Sequence, residues 1–145
     1  MRITNTVLAV AALLVGCGGM MTGTNGMRGA IGDAIDEDQQ YLTGTRAASS
    51  MPEMLGEADR HASRMTLIME DMGDHMVSMH HCSDIDSMMD LRDGMRIELD
   101  SHLATMHAET LMSSARAEVE HHVLAMGSML DHMDSMLDRM HCGGW

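Results

Sequence analysis

The chain has no Phe, no Lys, one Pro, one Tyr and three Cys in 145 residues. A core that lacks aromatic side chains and is lined by Met packs adaptably and specifies its side-chain arrangement poorly. All nine basic residues are Arg and the formal net charge is -13, which argues against a nucleic-acid partner. The Gly-x-Ser-x-Gly, Walker and His-Glu-x-x-His motifs are absent as well, so the sequence does not predict an enzyme.

Methionine and histidine are abundant instead, with 21 Met and 10 His. Two runs of Met alternate steps of three and four residues, which is the spacing of one face of a helix. These runs are Met65, Met69, Met72, Met76 and Met79, and Met126, Met129, Met133, Met136 and Met140. Met fills cores adaptably, and its thioether is also a soft ligand for Cu(I), so the stripes have both a structural and a metal-binding interpretation.

The sequence matches itself when it is shifted by 61 residues, which indicates a duplicated unit. His61 falls on His122, for example, and His80 falls on His141. The segment Ser49-Ser50-Met51-Pro52 divides the first unit into two helices, and Ser113-Ser114 divides the second unit as an N-cap.

We therefore predict four helices, and their bounds are near 30–48, 52–81, 84–111 and 114–141. The first helix has the thinnest apolar stripe, formed by Ile31, Ile35, Asp38, Leu42 and Thr45. Because short loops make neighbouring helices antiparallel, the predicted fold is all-α, an up-down antiparallel four-helix bundle formed by two duplicated helical hairpins.

The N-terminal residues resemble a bacterial lipoprotein signal peptide. An apolar run that is too short for a transmembrane anchor ends in Leu14-Val15-Gly16-Cys17, which is similar to a lipobox. The resemblance implies that residues 1–16 are removed and that Cys17 is lipidated. It also implies a lipid-anchored protein of the cell envelope, at the outer membrane and facing the periplasm. Residues 17–29 are Gly-rich and predict a flexible tether, which leaves 30–145 for the bundle domain.

One candidate metal site lies at a common height inside the predicted bundle. Four residues are each ten positions from the turn of their hairpin, and two Glu residues lie one turn away. They are Tyr41, His61, His102 and His122, with Glu37 and Glu98. All four are expected ~15 Å from the turns. Three imidazoles beside carboxylates predict a metal or haem site, and a buried polar layer that sets the helix register is the alternative.

A second candidate metal site lies where helices 2 and 4 end. These parallel helices end in the similar tracts His80-His81-Cys82 and His141-Cys142, with Met79 and Met140 just inside the bundle. Thiolate, imidazole and thioether groups suit Cu(I), and also Ag(I) or Zn(II). A Cys82–Cys142 disulfide is the alternative in an oxidising compartment, and it leaves only His and Met as ligands.

The composition is similar to that of Met- and His-rich periplasmic copper- and silver-binding proteins. That likeness implies a lipoprotein that binds or buffers soft metal ions, above all Cu(I), with silver, zinc or haem as other cofactors. The paired Glu and His residues resemble a ferritin-like di-iron bundle, although the Glu-x-x-His motif occurs only at Glu118 and His121. A structural lipoprotein with a Met-rich core and no ligand, and a haem or di-metal redox bundle, remain the alternatives.

Overall fold

The computed structural model describes residues 18–142, which fold into four α-helices. The helices are α1 (Gly18–Ala47), α2 (Met51–Ser78), α3 (Ile85–Ala108) and α4 (Met112–Arg139). Both α1 and α3 pack against α2 and α4, so the helices close into a ring around one core. The predicted all-α four-helix bundle is confirmed. None of these four helices is long and apolar enough to cross a bilayer.

The start of α2 agrees with the sequence analysis, whereas the start of α4 does not. Ser50 is the N-cap of α2, its hydroxyl accepts a hydrogen bond from the Glu53 N–H, and Pro52 lies in the first turn. In α4 the backbone ladder already begins at the carbonyl of Leu111, which is the N-cap. The predicted N-cap at Ser113-Ser114 is therefore wrong, because both serines lie inside the first turn.

Helix α1 begins earlier than predicted. Residues 18–29, which the sequence analysis assigned to a flexible tether, belong to α1. Met27 has no exposed surface, and Arg28 forms ion pairs with Asp134 and Asp138 of α4. The bundle therefore includes residues that Gly content alone assigned to a linker.

The glycines near the start of α1 allow close packing rather than flexibility. A Cβ atom on Gly26 would lie 2.2 Å from the ring of His75, and one on Gly23 would lie 2.9 Å from Cγ of Met79. Both neighbours belong to the C-terminal end of α2. Small residues at these positions let the two helices approach each other, which explains why a Gly-rich segment is part of the bundle.

Two apolar clusters fill the bundle. Seven Met residues of α2, α3 and α4 are between 0 and 5% exposed: Met65, Met69, Met72, Met95, Met106, Met126 and Met133. The larger cluster contains Met65 and Leu99, and the smaller one contains Ala58 and Met106. Since His61 lies between Ala58 and Met65 on α2, a polar layer separates the clusters.

Candidate metal centre

The polar layer crosses the bundle and receives side chains from every helix. Its six buried members are each at most 3% exposed: Glu37, Asp38, Tyr41, His61, His102 and His122. The predicted common height of the Tyr and the three His residues is confirmed, because their rings contact one another. Burial of so many polar groups is costly unless each has a partner, so their contacts define what the layer can do.

The imidazoles of His61 and His122 face each other at the centre of the layer. Their Nε2 atoms are 3.3 Å apart. On the outer side, Nδ1 of His61 lies 3.4 Å from Oε1 of Glu37, and Nδ1 of His122 lies 3.3 Å from Oε1 of Glu98. Because an Nδ1–H that donates to a carboxylate leaves the lone pair on Nε2, both lone pairs point into the same space.

Asp38 supplies a third ligand atom to this space. Its Oδ1 lies 3.7 Å from Nε2 of His61 and is buried without a hydrogen-bond partner in the described part of the chain. One ligand atom each from Asp38, His61 and His122 lies within 4.8 Å of the other two. Among residues 18–142 this is the only such group of three His, Cys, Asp or Glu side chains, and it could hold a metal ion.

The spacing of the two nitrogens fits a four-coordinate ion. Metal–nitrogen bonds of ~2.0–2.1 Å in a tetrahedral site place two ligand nitrogens ~3.4 Å apart. The observed 3.3 Å between Nε2 of His61 and Nε2 of His122 agrees with that value. Asp38 approaches the same space from α1, so three helices contribute one ligand atom each.

Burial places the two imidazoles in the form that binds metal, whereas it favours the protonated form of Asp38. It lowers the pKa of His61 to about 3 and that of His122 to about 2, so both imidazoles are neutral near pH 7. Burial, assisted by the neighbouring Glu37 carboxylate, raises the pKa of Asp38 to about 7. Neutral imidazoles bind a cation directly, whereas Asp38 exchanges a proton for the metal in this pH range.

His102 and Glu98 lie beside the ligand group rather than in it. Nε2 of His102 lies 2.8 Å from the Tyr41 hydroxyl, and its Nδ1 lies 3.1 Å from Oε1 of Glu118. The hydroxyl therefore donates to His102, which donates to Glu118, and both ring nitrogens are occupied. Glu98 accepts from Nδ1 of His122 and orients that ring. Both residues were predicted as ligands, and the structure gives them supporting contacts instead.

At the end of the bundle, the structure contains a disulfide, which was the alternative to a metal site with thiolate ligands. Cys82 and Cys142 are bonded to each other, with their Cα atoms 4.0 Å apart. The N–H of Ser83 donates to the carbonyl of His141 at 3.1 Å, so the two tracts do converge as predicted. A disulfide sulfur is not a thiolate, and the predicted Cys ligands are therefore unavailable in this state.

The remaining members of the bundle-end site do not form a ligand group. His80, His81 and His141 are exposed, Met79 is buried and Met140 is partly buried. The rings of the first two histidines are 3.6 Å apart, but no third His, Cys, Asp or Glu atom within 18–142 completes a set with them. The bundle end is a covalent connection between the two repeats.

Comparisons with protein family models, with curated proteins and with solved structures find no match to this chain. The site is therefore interpreted from its own geometry. Cys17, the predicted lipidation site, and residues 1–16, the predicted signal peptide, lie outside the residues that the structure describes.

Asp38 is the candidate ligand that the sequence pattern did not identify. It lies on the predicted apolar stripe of the first helix, where it was counted only as a weak point of that stripe. An acidic residue on an otherwise buried face that turns toward His-bearing helices is the signal that could have identified it.

Proposed function

We propose that this protein binds one transition-metal ion, copper above all, in the buried layer, and that it acts as a non-catalytic metal-binding or buffering protein of the cell envelope. The observation that carries the proposal is the convergence of two Nε2 lone pairs on an unpartnered Asp38 oxygen. Two like acceptors 3.3 Å apart repel each other unless a cation or a proton lies between them.

The ligand types favour copper or zinc. Imidazole suits Zn, Cu, Fe and Ni, and a site of nitrogen and oxygen ligands binds Cu(II) most tightly among the divalent first-row ions. Met65 and Met126 follow His61 and His122 by one helical turn, and both are fully buried in the adjoining cluster. Thioethers next to an imidazole pair suit Cu(I), so the surroundings of the layer favour the reduced state of copper.

The geometry gives less support to a haem or di-iron protein. The carboxylates of Glu37 and Glu98 contact Nδ1 on the outer side of each imidazole, so they do not converge with the Nε2 atoms on one central position. The rings of His102 and His122 are stacked at 3.9 Å, which leaves no space for a macrocycle between them. A purely structural layer is the second candidate function, and the Asp38 oxygen, which has no hydrogen-bond partner within residues 18–142, argues against it.

Metal titration of the purified protein tests the proposal. We expect one Cu(I) or Zn(II) ion to bind per chain with the disulfide intact, and we expect the double variant His61→Gln/His122→Gln to bind none. His132→Gln is the matched control, because His132 is an exposed residue of α4 outside the layer. Absence of binding in the natural protein, or equal binding by the double variant, would contradict the proposal.

The location in the cell envelope is a separate part of the proposal. The lipobox-like segment supports it, and so does the disulfide, because disulfides persist mainly in oxidising compartments such as the periplasm. Mass spectrometry of membrane-extracted protein should show a mature chain that begins at a diacylated Cys17. An intact Met1 or an unmodified Cys17 would contradict this part and leave the metal proposal unaffected.

A further inference from the structure

Each ligand imidazole is supported by a second ring that stacks on it. The ring of Tyr41 stacks on His61 with a centroid distance of 4.2 Å and an angle of 5° between the planes. The ring of His102 stacks on His122 at 3.9 Å and 13°. Both supporting rings are buried, at 0 and 2% exposure, so each ligand ring is held against a neighbour that cannot move into solvent.

A hydrogen bond joins the two supporting rings to each other. The Tyr41 hydroxyl and Nε2 of His102 are 2.8 Å apart, and Glu118 holds His102 from the far side at 3.1 Å. The planes of the two supporting rings meet at 79°, and the planes of the two ligand rings meet at 82°. Because each ligand ring is almost parallel to its support, the angle between the supports sets the angle between the ligands.

The two supporting residues occupy equivalent positions of the two repeats but differ in chemistry. Tyr41 and His102 are separated by 61 residues, which is the repeat shift, so they are equivalent positions in the two halves. A phenol and a neutral imidazole form a hydrogen bond with a defined direction, since the hydroxyl donates and Nε2 accepts. This direction fixes the tautomer of His102, and the Nδ1–H of that tautomer donates to Glu118.

We infer that Tyr41 and His102 are positioning residues that hold the His61 and His122 imidazoles at the nitrogen spacing of a tetrahedral ion, and that they make the site selective for such ions. The inference rests on the proposed metal-binding function. The ions favoured are Cu(I) and Zn(II), and those disfavoured are Cu(II) and Ni(II), which prefer square-planar or tetragonal sites. Adjacent nitrogens in a square plane with bonds of ~2.0 Å are only ~2.8 Å apart, whereas the pair here is held at 3.3 Å.

Two variants separate the hydrogen bond from the stacking. Tyr41→Phe keeps the stacked ring and removes the hydroxyl, whereas His102→Gln keeps an acceptor for Tyr41 and removes the stacked ring. Thr45→Val is the matched control, because it also removes a buried hydroxyl from α1, one turn from Tyr41. The Thr45 hydroxyl donates to the backbone carbonyls of Tyr41 and Leu42 in its own helix, so among the described residues its hydrogen bonds go to main chain and not to the side chains of the layer.

Co(II) and Zn(II) are the probes, used with the full-length protein and its intact disulfide. Tetrahedral Co(II) absorbs visible light much more strongly than six-coordinate Co(II), so the band intensity reports geometry as well as occupancy. We expect Tyr41→Phe and His102→Gln each to weaken Zn(II) binding ~10–100-fold, as is usual when an outer partner of a ligand is lost. We also expect a weaker Co(II) band per bound ion and a smaller ratio of Zn(II) to Ni(II) affinity, with Thr45→Val unchanged.

The outcomes distinguish this inference from the proposed function. If the natural protein binds neither Cu(I) nor any of these ions, the proposed function fails; if it binds Cu(I) but not Zn(II), the selectivity inferred here is overturned. If it binds them, and both variants retain the natural Zn(II) affinity, Co(II) band and Zn(II)/Ni(II) ratio, the positioning role is overturned and the metal site stands. Should one variant fail to fold by circular dichroism, the Co(II) band of the other decides, because a structural role alone leaves the band intensity per bound ion unchanged.

Discussion

At the scale of single residues, two neighbouring carboxylates in α1 differ in their contacts. Glu37 contacts Nδ1 of His61 at 3.4 Å and also accepts from the Arg64 guanidinium at 2.9 Å. Asp38 faces the opposite side of the same imidazole, and its Oδ1 has no partner among the described residues. Glu37 therefore orients the His61 ring, whereas Oδ1 of Asp38 remains available to bind the same ion as Nε2 of His61.

Asp38→Asn should weaken metal binding and stabilise the metal-free protein. The amide lacks the negative charge, so we expect at least a ~10-fold loss of Zn(II) affinity. At pH 8 the buried carboxylate is charged at a cost, as its raised pKa indicates, so its removal should raise the free energy of unfolding by ~1–3 kcal/mol. Titration and denaturant unfolding measure the two effects. Asp36→Asn, an exposed position of the same helix, should change neither.

The metal-free protein should lose stability as the pH falls from 6.5 to about 4.5. His61 and His122 have lowered pKa values of about 3 and about 2 in the folded protein. Their contribution to stability is therefore fully present above the ordinary histidine pKa of 6.5 and is lost as the pH falls below it. Asp38, with its pKa raised from 3.8 to about 7, acts in the opposite sense across this window. Two imidazoles against one carboxyl group leave a net decrease of ~1.4 kcal/mol per pH unit, and burial of His102, which also lowers its pKa, adds to the decrease.

Urea unfolding in the presence of a chelator, repeated across this pH range, checks the slope. Replacing both imidazoles in His61→Gln/His122→Gln should abolish or reverse it, because only Asp38 then remains of the three groups. A free energy of unfolding that increases toward pH 4.5 in the natural protein would show that the imidazoles are not buried in their neutral form.

At the scale of helices, α1 contains glycines at intervals of three residues that face different surroundings. Gly23 and Gly26 lie against the C-terminal end of α2, whereas a Cβ on Gly29 or Gly32 would meet no atom within 4 Å. The same residue type therefore permits close packing at two positions and only lowers helix propensity at the other two.

Gly26→Ala and Gly32→Ala should have opposite effects on stability. The new methyl group at position 26 would overlap the partly exposed His75 ring, which has to turn away, so we expect a loss of up to ~1 kcal/mol in the free energy of unfolding. At position 32 the methyl group meets open space and only improves helix propensity, which should raise stability by ~0.5–1 kcal/mol. Thermal unfolding of the two variants in parallel measures both; a stable Gly26→Ala protein would mean that α1 does not pack on α2 there.

At the scale of the whole molecule, the disulfide and the polar layer are far apart. His61 lies 17 residues before the end of α2 at Ser78, which corresponds to ~26 Å of helix, and Cys82 lies beyond that end. The disulfide joins the connection between α2 and α3 to the segment after α4, so it links the ends of the two repeats. Stability and metal binding can therefore be tested separately.

Cys82→Ser/Cys142→Ser should lower stability without affecting the buried metal centre. The bond closes a loop with a sequence separation of 60, for which a loss of ~3–5 kcal/mol in the free energy of unfolding is expected. The Zn(II) affinity of the layer should stay within ~2-fold of the natural protein, because none of its ligands contacts the disulfide. Loss of metal binding in the folded variant would instead place the site at the bundle end.

Much of the bundle could be predicted because its signals are local and periodic. The spacing of Met65, Met69 and Met72 indicates a buried helical face, and equal distances from two turns place His61 and His122 at one height. Both the buried face and the common height depend only on the geometry of a single helix. The extent of α1 could not be predicted in this way, because the signal of glycine in a sequence is the same for a tether and for a close helix contact.

Residue spacing along single helices specifies the helical periodicity, the repeat and the height of the histidine layer, so the amino-acid sequence contains these features. Which groups in that layer turn inward depends on tertiary packing. It placed Asp38 beside His61 and His122, and it occupied both nitrogens of His102 with Tyr41 and Glu118. The rotation of each helix about its axis depends on packing against all its neighbours, and that rotation decides whether a buried side chain is a ligand or the support of one.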